Sequence, residues 1–146
     1  MLALVVSGCM TGAGAYEQIV LDTAWPRRPS IVRPSEGGAN RKRFWVPANL
    51  VAVLTLLMAV CAAWPVTAAR NAALIAIGLF AIINAVTIGY FAPAVLRVER
   101  LSVLPDAASS WRWVRLNRLR TVLALGVNAG LAFAAVFVAQ TSPVAL

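Results

Sequence analysis

Four long stretches with almost no charge constrain the fold of this chain more than any other feature. Residues 44–69, 71–96 and 121–146 carry no charged side chain, and residues 2–21 carry only Glu17. About 20 apolar residues in a helix suffice to cross the hydrocarbon core of a bilayer. We therefore predict an all-α fold, an integral membrane antiparallel four-helix bundle in one domain covering 1–146. The helices are predicted at about 2–22, 46–64, 71–95 and 112–140.

The basic residues lie between these stretches. Of thirteen Lys and Arg residues, six fall in 23–44, one is Arg70, and six fall in 97–120. Nucleic-acid-binding proteins spread such residues over a folded surface, so this distribution excludes nucleic acid as a partner. The positive-inside rule instead predicts a multi-pass protein of the inner or plasma membrane. Its loops 23–44 and 97–111 would be cytoplasmic and both termini outside.

Prolines and tryptophans mark the predicted boundaries. We expect an irregular first loop with Trp25 at the interface, and a turn at Pro105-Asp106 in the second long loop. Pro47 suits the first turn of the second helix, where its missing N–H is tolerated. Pro93 should bend or end the third helix. Residues 2–22 are interpreted as a membrane helix rather than a signal peptide, because they lack a basic n-region.

Glu17 is the most informative residue of the first helix, because a carboxylate inside a membrane span by default marks function. With Asp22 expected at the interface, Glu17 lies about 7–8 Å inside at 1.5 Å per residue. A snorkelling or structurally paired acid is the competing interpretation. Tyr16 belongs either to the same site or to the interfacial aromatic belt.

The other helices also carry polar side chains near the predicted cytoplasmic end. Asn117 and Arg120 stand three apart on one face of the last helix, within a stripe that should face the bundle interior. The stripe comprises Asn117, Thr121, Ala124 and Asn128. In the third helix Asn84, Thr87 and Tyr90 either line a substrate site or bond to neighbouring helices. Five strongly polar residues are expected at a similar depth and predict one polar pocket in the cytoplasmic leaflet, with Glu17 and Arg120 paired inside it: Glu17, Asn49, Tyr90, Asn117 and Arg120.

The sequence gives little evidence for a metal site or for a disulfide bond. The chain has no histidine, and its five acidic residues form no cluster with the ligand spacing of a zinc or iron site. We therefore predict no metal and no cofactor. Cys9 and Cys61 sit in apolar stretches and are predicted to be buried, reduced thiols.

Four short motifs suggest a family. They are GAYE at Gly14 to Glu17, W-P beginning at Trp25, YFAP at Tyr90 to Pro93, and W-x3-N-x2-R at Trp113, Asn117 and Arg120. The chain resembles the small four-helix membrane proteins related to fungal anthrone oxygenases, a bacterial family classed as a domain of unknown function. The resemblance implies oxidation of an aromatic polyketide or other secondary metabolite without an obvious metal or flavin. It makes Asn117 and Arg120 the strongest functional candidates, followed by Glu17 and Tyr90.

The first functional hypothesis is a cofactor-independent oxygenase, a monooxygenase acting on a hydrophobic aromatic small molecule. Such chemistry needs a base, donors that stabilise an enolate, and a dry cavity. The predicted catalytic residues are Glu17 as base, with Arg120 and Asn117 stabilising the oxyanion. The predicted substrate-binding residues are Tyr90, Asn49, Asn84, Thr87 and Trp113.

Two alternatives stay open. In a small proton-coupled transporter Glu17 would be the coupling residue, although such residues lie near the bilayer midplane. In a noncatalytic scaffold or accessory subunit, Glu17 and Arg120 would be a structural ion pair, and the protein would fill the space around Arg120 with its own side chains. The small-residue face of Gly8 and Gly12 permits a homo-oligomer within the bilayer.

Overall fold

The computed structural model describes residues 1–24, 27–101 and 107–141 of the chain. Trp25 and the Pro105-Asp106 turn, for which positions are predicted above, lie outside these ranges. The described residues are helical nearly throughout and contain no strand. Four of their helices are long and apolar enough to cross a membrane, at Leu2–Ala24, Arg41–Ala63, Thr67–Arg97 and Trp111–Thr141.

The first two long helices, α1 and α2, enclose the first loop. Helix α1 consists of an α-helical part Leu2–Tyr16, a π-helical turn Glu17–Leu21 and a last turn Asp22–Ala24. Helix α2 covers Arg41–Ala63 and begins five residues earlier than the predicted 46. The reason is an N-cap, since the Asn40 Oδ1 accepts a hydrogen bond from the Arg43 backbone N–H at 3.4 Å.

The other two long helices, α3 and α4, are also longer than predicted. Helix α3 consists of Thr67–Val86, a π-helical turn Thr87–Phe91 and an α-helical part Ala92–Leu101. It therefore does not end at Pro93, whose missing N–H would have bonded a carbonyl inside that π turn. Helix α4 covers Ala107–Thr141, so it begins before the predicted residue 112.

Small residues bring α3 and α4 into the most extensive helix contact. Ala69, Ala73 and Ala76 of α3 are 0% exposed. A Cβ built on Gly130 of α4 would lie 3.0 Å from the Ala72 carbonyl oxygen and 3.1 Å from the Ala76 Cβ. Lipid offers no hydrophobic drive between helices, so close backbone approach of this kind supplies van der Waals contact.

Large apolar side chains are buried at only a few points and exposed along the outer faces of the helices. The main core cluster joins all four helices through Ala3, Leu56, Ala76, Val127 and Leu131. Among the outward residues are Leu50, Leu57, Ile75, Ile82, Val122 and Phe133. In water this much apolar surface would drive association, whereas a lipid environment accepts it.

Both cysteines lie on these outer faces. Cys9 and Cys61 are free thiols, and both are exposed, so the prediction that they are buried is wrong. Apolar sequence context does not distinguish a residue that packs in the bundle from one that faces lipid. This ambiguity is specific to membrane helices, because both environments select similar side chains.

The first loop is more ordered than an irregular connection. It contains two short 3-10 turns, Pro29–Val32 and Pro34–Glu36. The Ala39 N–H donates to the Ile31 carbonyl at 2.8 Å, and Ile31 packs against the buried pair Phe91 and Trp113. The loop therefore covers the same end of the helices that carries the polar residues.

Candidate functional site

A partly open cavity of about 70 Å³ lies between the helices, and all four long helices contribute to its wall. Its polar lining comes from both the middle of the helices and the end near the first loop. The polar lining residues are Ser7, Thr11, Trp45, Asn49, Thr55, Thr87, Asn117, Arg120 and Thr121. Apolar residues such as Leu56, Phe80 and Val127 form the rest. A pocket of this composition, apolar with a few convergent polar groups, is typical of a ligand site.

Arg120 is the only ionisable residue in that wall, considering the described residues. Its Nη1 donates to the Asn117 Oδ1 at 3.3 Å, and its Cζ lies 4.7 Å from the centre of the Phe91 ring. Its Nε is buried and has no hydrogen-bond partner. In the described part of the chain, no carboxylate oxygen comes within 4.0 Å of this guanidinium.

Asp22 holds the polar groups at this end together. Its side chain is 2% exposed, although the sequence predicted it at the interface. It accepts hydrogen bonds from the Trp113 Nε1, at 3.3 Å, and from the Asn117 Nδ2. Because the Asn117 amide nitrogen faces this carboxylate, the amide oxygen faces Arg120.

Arg41 connects the two carboxylates of α1. Its Nη2 lies 3.5 Å from the Asp22 Oδ1, and its Nε lies 3.6 Å from the Glu17 Oε1. Its Cζ also lies 6.0 Å from the centre of the Trp113 ring. These contacts are possible because α2 begins early enough to include Arg41 in its first turn.

Glu17 is therefore not paired with Arg120, and the predicted ion pair is wrong. Besides its ion pair with Arg41, its Oε1 accepts a hydrogen bond from the Trp45 Nε1 at 3.0 Å. Glu17 does not line the cavity, whereas Trp45 does. The Glu17 carboxylate is therefore connected to the cavity indirectly, through its hydrogen bond to the Trp45 indole ring.

Two π-helical turns shape this region. The N–H of Asp22 bonds the carbonyl of Glu17, five residues earlier, and the N–H of Ala92 bonds that of Thr87. In an α-helix, residues five apart differ by about 140° around the axis. A wider turn reduces this angle, so Glu17 and Asp22 can both reach Arg41. Single π turns inside α-helices occur frequently at functional sites.

The predicted site residues divide into two groups. Asn49, Thr87, Asn117 and Arg120 line the cavity. Glu17, Asn84, Tyr90 and Trp113 do not, and neither does Tyr16, which is exposed.

Each residue of the second group has another contact. The Asn84 Nδ2 donates to the carbonyl of Phe80 in its own helix at 3.0 Å. The Tyr90 ring packs against Phe91 and Trp113, with ring centres 5.2 and 6.4 Å away. Of these three aromatic rings, Phe91 contacts the Arg120 guanidinium, and none of the three lines the cavity.

Four contributors were not predicted from the sequence: Asp22, Arg41, Trp45 and Gln18. The Gln18 Nε2 donates to the Asn117 carbonyl and to the Thr121 Oγ1, which joins α1 to α4. Asp22, Arg41 and Trp45 stand at the ends of apolar stretches, where charged and aromatic residues ordinarily mark the interface. The available signal was the clustering of Glu17, Gln18 and Asp22 within six residues.

Neither metal-binding side chains among the described residues nor similarity to known proteins assigns a role to this site. In the described ranges, no group of three or more His, Cys, Asp or Glu side chains is placed to hold a metal ion. No family model, no curated protein and no solved structure matches the chain. The resemblance to the anthrone oxygenase relatives therefore depends on the short motifs alone.

Proposed function

We propose that the chain is a multi-pass protein of the inner or plasma membrane, an antiparallel bundle with both termini outside. Hydrogen bonds between α1 and α4 support the antiparallel arrangement. Thr11 accepts from Asn128 at 2.8 Å, and Gln18 donates to Thr121, so residue numbers rise along one helix where they fall along the other. The basic loops support a cytoplasmic position for the end that carries the site.

Within this membrane protein, we infer that the cavity binds a small organic molecule. The observation that carries this inference is Arg120, a basic residue that lines the cavity and whose buried Nε has no hydrogen-bond partner. A scaffold would fill this space with its own side chains. A proton-coupled transporter would place a carboxylate on the cavity wall near mid-bilayer, but Glu17 is bound to Arg41 and Trp45 at one end.

The reaction class that we propose is a cofactor-independent oxygenation, as the family resemblance implies. A methylene carbon activated by a neighbouring carbonyl loses a proton to the solvent, and the carbanion passes one electron to O₂. The two radicals combine, the peroxide takes up a proton, and loss of water leaves a ketone. In sum, CH₂ and O₂ become C=O and H₂O. Arg120 and the apolar wall would stabilise the enolate oxygen while excluding water.

The dimensions of the cavity restrict what enters. Pockets for drug-sized ligands occupy about 300–1,000 Å³, whereas this cavity has about 70 Å³. We therefore propose that the reacting ring, rather than a whole polycyclic molecule, occupies the space beside Arg120. The remainder of a larger substrate would lie between helices or in the lipid.

The test combines ligand retention with oxygen consumption. Detergent-purified wild type, Arg120→Ala and the control Arg118→Ala are analysed for retained small molecules by mass spectrometry. Arg118 is a suitable control because it lies two residues away on the same helix and is exposed. We expect a molecule that wild type and Arg118→Ala retain and Arg120→Ala loses.

The same three proteins are then supplied with anthrone, and O₂ uptake and ketone formation are measured. We expect wild type and Arg118→Ala to form anthraquinone with one O₂ consumed per molecule, and Arg120→Ala to remain at the background rate. Retention without accelerated oxidation would reject the oxygenase and leave the binding site. If no protein retains a molecule and none accelerates oxidation, the scaffold becomes the better explanation.

A further inference from the structure

Four acidic and basic side chains of the site described above do not form two separate ion pairs. Two are acidic, Glu17 and Asp22, and two are basic, Arg41 and Arg120. Arg41 lies within 3.6 Å of both carboxylates, and its side chain is 11% exposed. Arg120 makes no ion pair within 4.0 Å among the described residues. One guanidinium therefore takes both counter-ions, and the other faces the cavity without one.

The polar contacts of Arg120 are weak substitutes for a counter-ion. The Asn117 Oδ1 offers one neutral acceptor at 3.3 Å, and the face of Phe91 offers a cation–π contact. A charged residue placed inside a bilayer ordinarily pairs with an opposite charge or faces a water-filled cavity. Its Nε has no hydrogen-bond partner, so the guanidinium has more donors than its protein contacts use.

The rest of the cavity wall supplies acceptors rather than acids. The hydroxyls of Thr55 and Thr87 donate to carbonyls of their own helices, at 2.9 and 2.7 Å, so their lone pairs remain available. The Asn49 Nδ2 likewise donates to the Trp45 carbonyl, at 2.8 Å, which leaves its amide oxygen. No carboxylate is among the described lining residues. The wall therefore contains a cation for an anionic oxygen, but no base that would generate one.

We propose that this cavity takes its ligand already ionised, as a small organic monoanion whose charged oxygen contacts Arg120. Phenolates, enolates and carboxylates on a compact apolar body belong to this class. The apolar body would pack on Leu56, Phe80 and Val127, which line the same cavity. This inference rests on the proposed function, and it names the charge state of the substrate. It also removes the need for Glu17 as a base on the wall.

The experiment compares two probes of nearly equal size and shape, benzoate and benzamide, which differ in charge. Their binding in detergent micelles is measured by isothermal titration calorimetry, with protein-free micelles to subtract partitioning. The proteins are wild type, Arg120→Gln, Arg120→Lys and the exposed control Arg118→Gln. We expect wild type and Arg118→Gln to bind benzoate at least tenfold more tightly than benzamide.

Arg120→Gln should lose that preference, because its benzoate affinity falls at least tenfold while its benzamide affinity does not fall. Arg120→Lys should recover part of the preference, since the charge is retained. Ala124→Leu fills the cavity without changing any charge and should abolish benzoate binding, which serves as the test if Arg120→Gln does not fold. Equal binding of both probes to wild type, or unchanged benzoate binding to Arg120→Gln, overturns the proposal.

These outcomes are separable from those of the oxygenase test. Benzoate binding that depends on Arg120, without oxidation of anthrone, supports the anion site and rejects the oxygenase. Oxidation that depends on Arg120, with equal binding of benzoate and benzamide, supports the oxygenase and rejects the anion site. If wild type retains a molecule that is neutral at pH 7, the anion proposal also fails while the binding site remains.

Discussion

Replacement of Asp22 is expected to destabilise the protein more than replacement of any exposed acid. The Asp22 carboxylate accepts from Trp113 and Asn117 and is ion-paired with Arg41, while its side chain is 2% exposed. Asp22→Asn keeps the volume and one acceptor oxygen, but it removes the charge and turns an NH₂ group toward one of these donors. Asp22→Ala removes this acceptor from Trp113 and Asn117 and leaves Arg41 with the Glu17 carboxylate.

The magnitudes follow from those contacts. A hydrogen bond to a charged group contributes about 1.5–3 kcal/mol, so Asp22→Asn should reduce the free energy of unfolding by that amount. Removing one partner of a buried ion pair costs about 3–5 kcal/mol when the other charge is left uncompensated, and the remaining Glu17–Arg41 pair places Asp22→Ala near the lower end of that range. Asp22→Ala should therefore be the more damaging change.

The assay is unfolding by sodium dodecyl sulfate in mixed micelles, followed by far-ultraviolet circular dichroism. Glu36→Gln is the matched control, since Glu36 also pairs with an arginine, Arg33 at 2.9 Å, but its side chain is 43% exposed. Exposed pairs contribute about 0–1 kcal/mol. The reasoning is refuted if Asp22→Asn is no more destabilising than Glu36→Gln, or if Asp22→Ala is no worse than Asp22→Asn.

Two further predictions concern helix packing and orientation. Gly130→Val should reduce the unfolding free energy by about 1–3 kcal/mol through overpacking, because its Cβ would press on α3. Gly78→Val, where a Cβ meets nothing within 4 Å, should be nearly neutral in the same unfolding assay, and equal effects would contradict the packing argument. An alkaline phosphatase fusion after Leu146 should be active and one after Gly37 inactive, because the enzyme folds only outside the cytoplasm; the reverse pattern would invert the topology.

Charge placement alone predicted the four long helices and the end of the molecule where polar groups meet. A long stretch without charged residues can cross a bilayer only as a helix or as part of a closed barrel, so few other structures compete with the predicted helices. Helix periodicity also predicts the interior stripe of Asn117, Thr121, Ala124 and Asn128. The first three line the cavity beside Arg120, whereas Asn128 bonds to Thr11 of α1 instead. These are local relations within one helix, which spacing determines.

The sequence could not assign partners between helices. The sequence predicts a pair between Glu17 and Arg120 because both are expected inside the membrane, and it places Arg41 in the cytoplasmic loop 23–44. Because α2 begins one turn earlier than predicted, the Arg41 guanidinium lies close to Glu17 and pairs with it in place of Arg120. The π turns were also not predicted, because an apolar stretch such as Ile19 to Leu21 satisfies an α and a π turn equally well. Partner choice thus depends on boundaries of a few residues, which apolar composition does not determine.

The buried residues of two core clusters between these helices are all alanine, valine or leucine, side chains that by themselves would tolerate some sliding along the helix axis. Lipid does not oppose such sliding, because an aliphatic side chain is solvated equally well at neighbouring depths. The Asp22 carboxylate does oppose it. A shift of α1 by one turn, about 5.4 Å, would separate Asp22 from Asn117, Trp113 and Arg41 at once. Together with the bonds that Gln18 and Asn128 make between α1 and α4, this buried acid therefore fixes the register of three helices and, with it, the alignment of the cavity wall.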